Sequence, residues 1–177
     1  MKKLFGIAAS LLLAFSIVGC SNKDTAEKND NEPKKVAKTD NAVKEKTEVL
    51  NFEGDLSNKL RTWHAPYNAY IAAQDPEKKT PKKDLEKAKT DAKASLEKAV
   101  SEIPNITVPA TLPKDDQDNI KAALEDLKKS YEARAASLND EKKGAEADKL
   151  FKSFNDKLNK VHEKLKLVPA DLSKEIS

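Results

Sequence analysis

Apolar positions in this chain recur at helical spacing in four stretches. From Phe52 the sizeable apolar side chains fall at Leu56, Leu60, Trp63, Tyr67 and Tyr70, in steps of four, four, three, four and three. Those steps trace one face of a helix. The pattern predicts a first helix that starts between Thr47 and Ser57, with Asp55 or Ser57 as N-cap, and ends by Asp75-Pro76. Pro66 lies inside the pattern and cannot donate to the carbonyl of Thr62. A kink near Trp63-His64-Ala65, with that carbonyl open to a partner, is the expectation. Leu85, Ala88, Ala92, Leu96, Ala99 or Val100, and Ile103 mark a second helix, with Thr80 as cap and Pro81 at its first position. Pro104 stops it. Ile120, Leu124, Leu127, Tyr131, Ala135 and Leu138 mark a third helix from about Pro113. Asp115, Asp116 and Asp118 stand in its first turns, where the helix dipole favours negative charge. After the turn signal Asn139-Asp140, a fourth stripe holds Ala147, Leu150 or Phe151, Phe154, Leu158, Val161, Leu165 and Val168, and Pro169 ends it. Leu172 and Ile176 suggest a short final turn. Four amphipathic helices in one chain bury their stripes against each other. The predicted fold is therefore all-α, a four-helix bundle over residues 48–177.

Two stretches depart from this pattern. Residues 104–113, PNITVPATLP, contain three prolines, which exclude a helix, and alternate Ile106, Val108, Ala110 and Leu112 with polar neighbours. Period two puts the apolar residues on one side of an extended segment. Ten such residues reach about 33 Å, the length of a helix of about 22 residues. This connector either runs the length of the bundle and leaves helices two and three parallel, or is an ordinary surface loop. Residues 21–47 carry only Val36 and Val43 as sizeable apolar residues and no aromatic. Such a stretch buries too little surface to offset its ordering entropy, so residues 20–47 read as a disordered tether.

The start of the chain sets its address. Lys2 and Lys3 precede an apolar run from Leu4 to Val18, which closes on Ile17-Val18-Gly19-Cys20. The run suits a signal peptide and is short for a membrane-spanning helix, which needs roughly 20 residues. This segment resembles the signal peptides of bacterial lipoproteins, whose lipobox has a branched residue at −3, a small one at −1 and an obligatory cysteine at +1. Ile17, Gly19 and Cys20 match. The resemblance implies cleavage between Gly19 and Cys20, removal of residues 1–19, and a diacylglyceryl lipid on Cys20 with acyl chains such as palmitate. It also implies a protein held on a membrane and facing away from the cytoplasm. The chain looks like the small helical surface lipoproteins common in Gram-positive bacteria. Some lipoprotein signals of that group also yield short apolar peptide pheromones, and Leu13–Gly19 is similar to one in length and character.

Charge adds a constraint. Lys2 and Lys3 leave with the signal, so 31 basic residues face 30 acidic ones in what remains, formally +1. The basic balance of the whole chain is no argument for nucleic acid, which calls for a clustered basic face. Residues 77–98 hold eight lysines and five acids, a mild excess that anionic wall polymer would meet. Gly54 and Gly144 are the two glycines after Cys20. A composition rich in Lys, Glu, Ala and Leu favours long helices.

With Cys20 acylated there is no free thiol. The histidines are His64 and His162. Arg61 and Asn159 stand three residues before them, so the Glu-x-x-His pairs of a di-iron bundle are missing. Neither a glycine-rich phosphate loop nor a nucleophile elbow is present. The expectation is a non-enzymatic module with no metal and no cofactor. The most suggestive segment is Trp63 to Tyr70, with the one tryptophan and two of the three tyrosines. Trp63, His64, Tyr67, Asn68 and Tyr70 are the candidate binding residues, because Trp and Tyr join large apolar area to a polar tip. At helical spacing the same rings also suit the end of a core. Two functions follow. One is contact with an envelope protein or wall polymer. The other is binding of a small molecule or lipid in a cavity between helices, where the alanines of helix two leave space.

Overall fold

Helix one is longer than its apolar stripe. The computed structural model describes residues 34–177, with side-chain surroundings from Asp40 onward. In it α1 runs from Lys34 to Ala73. The expected tether is therefore helical from Lys34 on, and neither Asp55 nor Ser57 caps anything. After Pro33 the sequence holds no proline until Pro66, and its lysines, alanines and glutamates are good helix formers. The helix reaches the core only at Val49, which is buried, whereas Val43 is 59% exposed. The lipobox residues Gly19 and Cys20 and the first part of the tether lie outside the described residues.

The other helices are α2 (Lys82–Glu102), α3 (Lys114–Ser137) and α4 (Lys142–Leu165). No strand occurs among the described residues. Pro81, not Thr80, is the N-cap of α2 and makes no side-chain cap bond, so the start is one residue later than expected. Pro113 plays the same part for α3. Each proline carbonyl accepts from the first turn of its helix. A proline preset in φ and lacking N–H is well suited to that boundary. At the far end, α4 stops at Leu165, because Lys166 turns left-handed (φ 54°). Leu167 N–H then donates to the His162 carbonyl, the closing bond of a Schellman cap. Val168, expected on the buried stripe, is past that cap and 84% exposed.

The four helices pack as an up-down-up-down bundle. Trp63 of α1 meets Ser95 and Glu102 of α2. Asp116, Asp126 and Ser130 of α3 meet Lys164, Lys157 and the Ala147 carbonyl of α4 in reverse order. Glu53 and His162 join α1 to α4, while Trp63 and Tyr131 join α1 to α3 across the centre. Helices two and three are thus antiparallel. The connector does not return along the bundle. It prolongs the line of α2, through a 3-10 turn at Ile103–Asn105, beside the lower half of α1. Leu112 is buried, and Ile106 and Val108 pack half-buried on the core. Its alternating apolar side does face inward, apart from exposed Ala110. Gln117 Nε2 pins it by donating to the Leu112 carbonyl at 2.7 Å.

The core holds Leu56, Leu60, Trp63, Leu96, Ile103, Ile120, Leu127, Tyr131 and Phe154, each at most 2% exposed. A fully buried side chain of this size contributes roughly 1.5–3 kcal/mol. Ala92 and Ala99 of α2 are fully buried too, so that helix approaches its neighbours closely. Packing around the ring of helices is uneven. α3 and α4 share the longest interface, and α1 and α4 barely approach each other. The chain end fills part of this gap. A 3-10 turn, Leu172–Glu175, lies against both α1 and α4, with Leu172 buried. This strap is held by side chains that imitate backbone. Asn159 accepts from Ala170 N–H at 2.8 Å and returns its amide to the Ala170 carbonyl at 3.0 Å. Asn155 accepts from Leu172 N–H. Arg61 pairs with Glu175.

Candidate functional site

Where the strap stops short of closing the α1–α4 gap, a cavity of about 620 Å³ remains. It is built from three helices and the strap. α1 supplies His64, Tyr67, Asn68 and Ile71; α3 supplies Arg134; α4 supplies Asp148, Phe151, Lys152 and Asn155; the strap supplies Asp171 and Ser173. Three of the five residues singled out in the sequence, His64, Tyr67 and Asn68, thus meet in one seam.

The other two do not. Trp63 is 2% exposed. Its indole N–H donates to Glu102 at 2.9 Å and its ring stands edge-on to Tyr131 at 5.9 Å. It is a core residue with no face for a partner. Tyr70 is half-buried and borders a separate cavity of about 250 Å³ with Ser137, Leu138 and Asn139. Helix α1 continues through Pro66. The proline denies Thr62 its donor, and beside that gap Ser95 Oγ donates to the Trp63 carbonyl at 2.8 Å. Ser95 thus ties α2 to the turn beside the proline.

Polar groups behind the seam are incompletely matched. Nδ1 of His64, the hydroxyl of Tyr131 and Nε of Arg134 are buried and find no hydrogen-bond partner among the described residues. Their residues are 2%, 1% and 7% exposed. Leaving a buried polar group unmatched costs about 1–3 kcal/mol, so three in one place is a notable concentration. The rings adjoin. His64 lies 5.1 Å from Tyr67 and 6.0 Å from Tyr131 between centroids, and the Arg134 guanidinium lies 5.4 Å over the Tyr67 ring. Burial, aided by the Arg134 charge, lowers the His64 pKa to about 3, so the imidazole is neutral at physiological pH. Burial also raises the Tyr131 hydroxyl above its ordinary range. Neither group is poised to move a proton near pH 7. Arg134 stays cationic. Its Nη2 donates to Asp148 at 2.8 Å, and that carboxylate side chain is 71% exposed.

A second buried polar pair lies lower on the same helices. His162 Nε2 is 2.6 Å from Glu53 Oε1, and its Nδ1 is 2.6 Å from the Val168 carbonyl. Facing a carboxylate and a carbonyl, the ring serves both as the doubly protonated imidazolium. The Glu53 hydrogen bond, opposed by burial and helped by the Val168 carbonyl, raises the His162 pKa. The two histidines do not meet. Glu53, the partner of His162, is eleven residues from His64 on α1, about 16 Å along its axis. Among the described residues no group of three or more His, Cys, Asp or Glu side chains could hold a metal. No described helix is long and apolar enough to cross a membrane.

Sequence reasoning found only the α1 side of the seam and missed the residues of α3, α4 and the strap, of which Arg134 is the buried cation. The expected stripe runs from Tyr131 to Ala135, four residues on. Steps of four, three and four from Leu127 lead instead through Tyr131 and Arg134 to Leu138, and Arg134 is more buried than Ala135. An arginine at a stripe position was the available signal. Comparison with protein-family models, curated proteins and solved structures finds no match to this chain.

Proposed function

We propose that this chain is a membrane-anchored, extracytoplasmic lipoprotein whose helical domain binds a small solute, without catalysis, in the seam between α1 and α4. One observation carries the reading. A concave site of ligand size is backed by the unmatched buried groups of His64 and Arg134. Burial of Trp63 removes the largest element of an aromatic docking face and favours a small ligand over a macromolecule. The neutral imidazole and protonated phenol behind the seam favour binding over acid–base chemistry. The lipobox resemblance supplies the anchor at Cys20, and an N-terminal segment of α1 with little burial supplies the spacing from the membrane.

The test uses the full chain in its own cells. Metabolically supplied palmitate labels the wild-type chain, and Cys20→Ser takes up no label. Native mass spectrometry of the membrane-extracted protein shows an added small mass. Ile71→Arg, a change at an exposed position in the seam wall, removes that mass and leaves the circular dichroism unchanged. Acyl labelling that survives Cys20→Ser contradicts the anchor. An added mass indifferent to Ile71→Arg contradicts the seam.

A further inference from the structure

The charges around the seam are of two kinds at two depths, and together they define a ligand. At the floor lies Arg134, a permanent cation, 7% exposed. A guanidinium offers Nε and one Nη side by side as a fork that fits the two oxygens of a carboxylate. Here Asp148 uses one oxygen on Nη2, and Nε has no partner among the described residues. At the mouth the balance reverses. Asp148, Asp156 and Asp171 outnumber Lys152, and Lys152 is already paired with Asp156 at 2.6 Å. Asp171 is half exposed. It takes the Ser173 N–H and hydroxyl on one oxygen, while its other oxygen has only Lys174 nearby, at 3.7 Å. The Ser173 hydrogen bond holds its carboxyl below the usual range, so it is ionised at neutral pH. Between floor and mouth the walls are Tyr67, Phe151 and Ile71.

A simple anion fits the floor but is repelled by the mouth. A simple cation fits the mouth but meets Arg134. We infer that the seam takes a small zwitterion of amino-acid or short-peptide type, with its carboxylate on the Arg134 fork, its ammonium toward Asp171 and an apolar side chain between Tyr67 and Phe151. Seating the carboxylate requires Asp148, whose side chain is 71% exposed, to yield Nη2 of a guanidinium that is only 8% exposed, so the ligand carboxylate takes its place and the buried cation is never left unpaired. This ligand class rests on the seam being a binding site.

The test is calorimetric titration of the full chain in detergent with glycyl-phenylalanine, its C-terminal amide and its N-acetyl derivative. The zwitterion is expected to bind saturably, and each derivative at least tenfold more weakly. Arg134→Gln is expected to weaken the zwitterion at least tenfold. Asp148→Asn, which keeps an acceptor for Arg134 but removes the charge that holds Nη2, is expected to tighten it severalfold. Unchanged or weaker binding to Asp148→Asn overturns the fork, even if Arg134→Gln does not fold. Equal binding of zwitterion and amide, lost in Ile71→Arg, overturns the ligand class but spares the seam. No saturable binding by the zwitterion overturns the ligand class outright, while the co-purified mass tests the seam independently.

Discussion

Replacing Glu53 by glutamine removes one charge and almost no volume from the α1–α4 contact. In the wild type, His162 serves Glu53 and the Val168 carbonyl together as an imidazolium. The side chains are 3% and 9% exposed, so solvent screens the pair little. Hydrogen bonds to charged groups contribute about 1.5–3 kcal/mol, against about 0.5–1.5 kcal/mol for neutral ones. Glu53→Gln should therefore cost about 1–2 kcal/mol at pH 6. For a domain of this size that lowers the Tm by roughly 2–8 °C. The pH dependence is the sharper signature. The folded-state pKa of His162 is raised above 6.5, so the folded protein binds a proton that the unfolded chain releases first. Its contribution is complete below pH 6.5 and disappears as the pH climbs through the raised value. Urea unfolding at intervals from pH 5.5 to 9 measures this. The difference between wild type and Glu53→Gln should be largest near pH 6 and shrink toward pH 9, because the variant has already lost the carboxylate that holds the proton. A difference constant across the range would refute the imidazolium assignment. Truncation to alanine is harsher, since a buried pair broken on one side costs about 3–5 kcal/mol.

Other substitutions test the packing. Gly54 lies inside α1, and a Cβ there meets nothing within 4 Å, so Gly54→Ala should raise stability by about 0.5–1 kcal/mol in chemical denaturation. Phe154 is fully buried beside Phe151, and Phe154→Ala should cost about 3–5 kcal/mol. Lys166 ends α4 in the left-handed region, where Lys166→Gly should stabilise by relieving backbone strain, about 1 kcal/mol.

The apolar stripes made the bundle legible because burial and helical period coincide. Leu56, Leu60, Leu96, Ile120, Leu127, Phe154 and Leu158 are all buried as their spacing requires. Three features escaped for different reasons. The early start of α1 could not be read from hydrophobicity, because residues 40–44 are exposed and the helix there follows propensity. The course of the connector depended on where α2 ends relative to α1, a tertiary matter on which its own alternation is silent. The seam was half legible. His64 and Asn68 were four apart on one face and do line it, yet Arg134 was passed over because a charged residue is not expected on a core stripe. Trp63 looked like a site by residue type, and its helical spacing with Leu60 and Tyr67 was the better guide.

The central claim is that a small solute occupies the α1–α4 seam, and NMR of the ¹⁵N-labelled full chain reports on it directly. The Arg134 Nε–H and the Asn68 side-chain amide line or back the seam, while the Trp63 indole N–H is held by Glu102 in the core. On titration with the low-molecular-weight fraction of the cell envelope, the expected result is saturable movement of the Arg134 and Asn68 signals, with Trp63 unmoved. Saturable shifts confined to other surfaces, with Arg134 and Asn68 silent, would contradict it.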